Sequence, residues 1–102
     1  MVRRVRRAKR DAYEAVFAAL AHPARRLILM TIHFEGGEMG AGEIARVFAH
    51  AWQTTTRHLQ VLERAGLLRH ERRGRRRIYS VLRKRLELVR DCLAWFSRKE
   101  VR

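Results

Sequence analysis

Apolar positions recur at helical spacing along most of this chain and give way to short β-prone runs in one place. After Asp11, Tyr13, Val16, Phe17 and Leu20 mark one apolar stripe. His22-Pro23 ends that helix and opens the next, because proline has no N–H to waste at a first helical position. Leu27, Ile28, Met30, Thr31, Ile32 and Phe34 predict a mostly buried second helix, with Arg25 and Arg26 exposed at its start. The glycines of Glu35-Gly36-Gly37-Glu38-Met39-Gly40-Ala41-Gly42 predict a loop. Ile44, Ala45, Val47 and Phe48 predict a short amphipathic helix. Ala49-His50-Ala51 is long enough only for a tight turn, so the next helix crosses the short one steeply, as in a helix-turn-helix.

That next helix, Trp52–Ala65, has two unlike faces. Thr55, Leu59 and Leu62 share a core-facing side, while Gln53, Thr54, Arg57 and His58 form a polar, basic lip. Gly66 stands where a helix needs a left-handed terminator. Two β-prone runs follow, Leu67–Arg72 and Arg76–Leu82, joined at Arg73-Gly74-Arg75. A helix with a polar lip and a buried back suits a DNA major groove. The hairpin tip carries Arg72, Arg73, Arg75, Arg76 and Arg77, and arginines at a loop tip mostly meet phosphate. The expected fold is mainly α with a small β-hairpin: a winged helix-turn-helix in the order α-α-α-α-β-β-α.

The last predicted helix, about 83–99, brings Leu86, Val89, Leu93 and Phe96 together, with Leu88, Cys92 and Trp95 beside them. So wide an apolar arc exceeds what one small domain covers on a terminal helix. The expectation is a homodimer built on this helix and the Tyr13–Leu20 helix. Its seam residues are Tyr13, Val16, Phe17, Leu86, Val89, Leu93 and Phe96. The alternative is that both stripes fold back on one core.

Charge sharpens this picture. The 102 residues hold 24 Lys+Arg against 10 Asp+Glu, a formal charge of +14 that points to a polyanion. Residues 1–10 form a basic N-terminal arm with Arg3, Arg4, Arg6, Arg7, Lys9 and Arg10, and 11–99 form one domain. A single cysteine, Cys92, excludes an internal disulfide framework and suits a reducing cytoplasm. No apolar run approaches a membrane span, and the faint likeness of residues 3–21 to a signal peptide is interrupted by Asp11 and Glu14.

Three segments carry a family resemblance. Ala19-Leu20-Ala21-His22-Pro23-Ala24-Arg25-Arg26-Leu27-Ile28, the run Thr54 to Leu68, and Gly74-Arg75-Arg76-Arg77-Ile78-Tyr79-Ser80-Val81 resemble the ArsR/SmtB family of bacterial winged-helix repressors. The resemblance implies a homodimer on a palindromic operator. It implies that Gln53, Thr54, Thr56, Arg57 and His58 face the major groove and that the wing arginines reach the flanking backbone or minor groove. Many members have a serine cap where Ala51 stands, and Trp52 is unusual in the first turn. The Cys-x-Cys metal pair of metal-sensing members falls on Gly40 and Gly42, which ligate nothing. Glu87 and Asp91 without histidine make a poor zinc site on the last helix. The five histidines are scattered. No metal or cofactor is therefore expected, and the inducer is unspecified.

The expected function is a sequence-specific, cytoplasmic DNA-binding repressor. The alternative is a basic winged helix on structured RNA or the ribosome, although a sequence-blind binder does not need Gln53 and Thr54 beside Arg57. No nucleophile with a base, acid/base pair or phosphate loop stands at usable spacing, so an enzyme is not expected.

Overall fold

The computed structural model describes residues 2–48 and 51–98, with side chains from Arg10 onward. The elements run α1 (Val2–Leu20), α2 (Pro23–Phe34), β1 (Glu38–Gly40), α3 (Ala41–Val47), α4 (Trp52–Arg64), β2 (Leu68–Arg73), β3 (Arg76–Val81) and α5 (Leu86–Ser97). The backbone of α1 is helical through the basic arm, so Asp11 marks a change of composition and not a helix start. The arm's side chains before Arg10 lie outside the described residues, as do Ala49 and His50 of the expected turn.

The core gathers one face of each of the first four helices. Val16 and Ala19 of α1, Ile28, Leu29 and Ile32 of α2, Ile44 of α3, and Leu59 and Leu62 of α4 are buried together with Leu67, Leu68 and Tyr79. Thr55 is buried as its spacing predicts. Among the described residues no single helix is long and apolar enough to cross a membrane, and α1 and α2 meet at a 93° bend.

Three residues build that bend. His22 caps α2, its Nδ1 accepting the Ala24 N–H at 3.2 Å. Arg25 and Arg26 turn back onto α1 and are not merely exposed. Arg25 donates to the Ala19 and Ala18 carbonyls at 2.7 and 3.1 Å, and Arg26 to the Leu20 carbonyl at 2.7 Å. Cations thus satisfy the carbonyls that a helix C-terminus leaves without partners.

The glycine-rich segment is not all loop. Gly36 and Gly37 take φ of +102° and +98°, closing α2 with a bond from the Gly37 N–H to the Ile32 carbonyl at 2.9 Å. Glu38–Gly40 then adds a third strand to the hairpin, in the order β1-β3-β2 with all neighbours antiparallel. Met39, opposite Tyr79, is its one apolar residue and is buried. A three-residue strand is too short to display a period of two.

α2 is less buried than its composition predicts. Ile28, Leu29 and Ile32 face inward, whereas Leu27, Met30 and Phe34 (76% exposed) form an outward stripe. α5 docks shallowly: Leu86, Leu88 and Val89 rest half-buried on the core, Cys92 is half-buried, and Leu93, Trp95 and Phe96 (83% exposed) are open.

Candidate nucleic-acid interface

The exposed face of α4 follows the helical repeat. Gln53, Arg57, Gln60 and Arg64 stand at i, i+4, i+7 and i+11, and all are exposed. Thr54 is half-buried beside them. Spacing therefore offered Gln60 and Arg64 as well, which the sequence reading passed over. Two of the five residues expected to face the major groove are turned away from solvent. Thr56 is half-buried with its hydroxyl oxygen enclosed, and that oxygen has no hydrogen-bond partner among the described residues.

His58 is 8% exposed. Its ring lies 4.5 Å from that of His22, and the Arg25 guanidinium approaches its Nδ1 at 3.5 Å. His58 is therefore a bolt between α4 and the α1–α2 bend, not a surface ligand. Residue 58 follows Thr54 by one turn, and one turn along α4 the bend already covers that flank.

Ala51 supplies no side-chain cap, so the first-turn amides of α4 have no side-chain acceptor. Trp52 is 41% exposed and lines a groove instead of packing under the helix. That groove, about 790 Å³, runs from the start of α4 past Arg46 and the α3 end to the wing, where Arg72, Arg75, Arg76 and Arg77 line it. Glu43 and Glu71 are its only acidic residues among the described residues.

The hairpin turns on Gly74 (φ +62°) and Arg75, pairing Arg73 with Arg76 and Arg72 with Arg77. Opposed residues share a face, so the five arginines divide. Arg73 is paired at two points with Glu38, at 2.7 and 3.0 Å, and with Glu71 at 3.2 Å. The Arg73 hydrogen bonds hold the Glu38 carboxyl below its ordinary range, and the same bonds raise the guanidinium further. Arg76 donates to Glu43 at 2.7 Å, and Glu43 also accepts the Gly40 N–H at 3.0 Å. Arg72, Arg75 and Arg77 are exposed and have no ion pair among the described residues. One residue of the wing is also braced against α4: the His70 imidazole meets the Glu63 carboxylate.

The Glu43–Arg76 pair covers Gly40. A Cβ there would lie 2.8 Å from the Arg76 Nη2 and 3.1 Å from the Glu43 Oε1, so the position of the first family thiolate is already filled. Among the described residues no three His, Cys, Asp or Glu side chains converge on a metal position.

The seam residues separate. Val16 is fully buried within the chain and is corrected from seam to core. Leu86 and Val89 are half-committed to the same core. Tyr13 and Phe17 stack at 6.3 Å on the outer side of α1, Phe17 exposed and Tyr13 half-buried, while Leu93 and Phe96 are open on α5.

Comparison with known proteins is consistent across three kinds of likeness. Residues 20–71 match a family described as a helix-turn-helix domain. The transcriptional repressor SdpR of Bacillus subtilis (strain 168) is 32% identical over 80 residues, covering 78% of this chain and 83% of that one. An ArsR-like transcriptional regulator from Rhodococcus sp. RHA1 has a TM-score of 0.74 at 25% identity, covering 88% of this chain and 83% of the other. A homodimeric winged helix-turn-helix DNA-binding domain from Mycobacterium bovis shares the fold with a TM-score of 0.70 at 24% identity, covering 93% and 92%.

Proposed function

Because this chain belongs to the ArsR/SmtB-type family of winged helix-turn-helix transcriptional regulators, we propose that it is a homodimeric repressor of a palindromic operator in double-stranded DNA. The observation that carries the reading is a division of labour across one surface. An exposed row of Gln53, Arg57 and Gln60 offers amide and guanidinium groups of the kind that read base edges. At the wing end of the basic groove, Arg72, Arg75 and Arg77 offer charges not spent on carboxylates, of the kind that grip phosphate. Thr54 flanks the row and is the fourth reader in this proposal.

Two protomers joined along α5, with the Tyr13–Phe17 side of α1 beside it, carry two such rows. A two-fold axis then requires half-sites of inverted sequence, about one helical turn apart or a multiple of it. The exposure of Leu93, Trp95 and Phe96 in a chain that is otherwise highly charged supports the seam. The repressor works without the family's Cys-x-Cys metal pair, since Gly40 and Gly42 stand there and the Glu43–Arg76 pair fills the space. Its place of action is the cytoplasm, with the duplex.

The test compares a palindromic duplex selected from genomic fragments, a scrambled duplex and a hairpin RNA across a salt series. The palindrome is held about a thousandfold tighter than the scramble, with affinity falling steeply as salt rises. Equal binding to all three refutes the reading and favours a backbone binder of RNA.

A further inference from the structure

A second groove lies between α2 and the start of α5. It encloses about 590 Å³ and shares no lining residue with the basic groove. That volume falls within the range of roughly 300–1,000 Å³ typical of pockets for small organic ligands. Met30, Phe34 and Leu86 give it an apolar wall, yet Met30 and Phe34 are largely exposed. Its rim is cationic. Arg83 and Arg90 stand there with no ion pair among the described residues, and Arg26 is fixed in place by its bond to the Leu20 carbonyl. Glu87 is the one acidic residue on the lining among the described residues.

We propose that this groove binds an amphipathic carboxylate, with a medium-chain acyl tail against Met30, Phe34 and Leu86 and its carboxylate at Arg83 and Arg90. An apolar wall beside unpaired guanidiniums is complementary to a molecule that has both properties. Arginine gives two-point bonds to carboxylate, which fixes the head as well as attracting it. A second copy of the chain is the poorer occupant, because the open apolar side chains of α5, Leu93, Trp95 and Phe96, lie outside this lining, while the rim itself is cationic. The site also touches the root of the wing. Val81 lines the groove and is the last residue of β3, whose first two residues are Arg76 and Arg77. A bound acid therefore contacts the strand that carries Arg77, one of the arginines proposed to face DNA.

The experiment titrates the full chain with dansyl-labelled undecanoate in the absence of DNA, so its outcome is independent of operator binding. Decanoate, decanol and decylammonium then compete for the bound probe. Decanoate displaces it about tenfold better than decanol, the worth of one charge-assisted hydrogen bond, and decylammonium is weakest. Arg83→Gln with Arg90→Gln weakens probe binding about tenfold while leaving the circular dichroism spectrum unchanged. Phe34→Ala weakens decanoate and decanol alike. Equal displacement by decanoate and decanol, or probe affinity unaffected by the arginine changes, overturns the proposal. So does sedimentation showing that probe binding vanishes as the chain dimerises and that Phe34→Ala weakens the dimer, because the groove is then covered by a second copy.

Discussion

Arg73 reaches across the sheet to Glu38, its Nη1 donating to one carboxylate oxygen at 2.7 Å and its Nη2 to the other at 3.0 Å. The pair joins the hairpin to the edge strand, with β3 between them. Glu43 holds Arg76 by a single bond, from the Arg76 Nη2 to one carboxylate oxygen at 2.7 Å. Two of the five wing arginines are therefore already matched with carboxylates when DNA arrives. Carboxylate and phosphate compete for the same guanidinium. Glu38→Gln should raise affinity for every duplex by up to about fivefold, the scale of an exposed ion pair. It should steepen the log–log salt dependence by about 0.9 for each phosphate newly neutralised. Fluorescence anisotropy with specific and scrambled duplexes checks both. A loss of affinity instead would mean that Glu38 aims Arg73 at the backbone.

The same pair sets an acid limb of stability. The hydrogen bonds from Arg73 hold the Glu38 carboxyl below its unfolded value. Its contribution is thus complete above the ordinary carboxylate pKa and is lost as pH falls through the lower, folded value. Thermal melting from about pH 6 to about pH 3 should show wild type losing stability more steeply than Glu38→Gln at the acid end, and no difference in slope near neutrality. The effect is small, because both side chains are about half-exposed to screening solvent. Parallel curves throughout would show that the pair contributes nothing.

Gln60 and His58 make opposite predictions. Gln60 is exposed on the row with Gln53 and Arg57, so Gln60→Ala should relax preference at one base pair about tenfold and leave melting unchanged. His58 is packed on His22 and met by Arg25. His58→Ala should cost about 1–3 kcal/mol of stability and leave the ranking of operator variants unchanged. A selection of bound sequences with each variant, beside its melting curve, separates the two. A new base preference in His58→Ala without lost stability would return that residue to the surface.

Those two residues also show what could be read from the sequence. The helix order, the Trp52–Arg64 helix and its buried Thr55, Leu59 and Leu62 follow from apolar spacing alone, because a core demands period. His58 does not, because its partners His22 and Arg25 lie on another helix and nothing local separates a buried polar group from a wet one. The third strand was hidden because Glu38–Gly40 holds one apolar residue and owes its place to pairing with Glu38↔Ser80 and Gly40↔Ile78. Five arginines in the wing were legible as charge. That Arg73 and Arg76 are matched was not, since Glu38 and Glu43 stand more than thirty positions earlier. Leu27, Met30 and Phe34 were assigned inward because composition counts apolar residues without saying which face another element will cover.

Gly66 ends α4 with φ +77°, and its N–H bonds to the Glu63 carbonyl at 2.9 Å. A Cβ there would lie 2.7 Å from the Arg85 side chain, which donates to the Ala65 carbonyl at 3.1 Å. Gly66→Ala should therefore cost about 1–2 kcal/mol through left-handed strain, and more if Arg85 loses its bond in moving aside. Urea unfolding measures the cost. Paired with Arg85→Ala the two losses should sum to less than their separate values, because both changes remove one contact. Strict additivity would show that the Arg85 bond survives the added methyl group.

The proposed seam on α5 sets hydrophobic attraction against charge. Leu93, Trp95 and Phe96 lie open while Leu86, Leu88 and Val89 face the core, so the C-terminal half of the helix is the part left for a partner. Phe96→Ser with Leu93→Ser should convert a dimer into a monomer in sedimentation at micromolar protein, with melting little changed because neither side chain is in the core. Each protomer brings +14 to that encounter. Salt shortens the reach of this repulsion to about 10 Å at 0.1 M and strengthens apolar contact little. The dimer dissociation constant should thus fall as salt rises, while the operator dissociation constant rises over the same range because the counterion release that drives DNA binding is worth less at higher salt. Two equilibria of one chain then move in opposite directions with one variable. If both weakened with salt, the protomers would be held by ion pairs and not by this apolar seam.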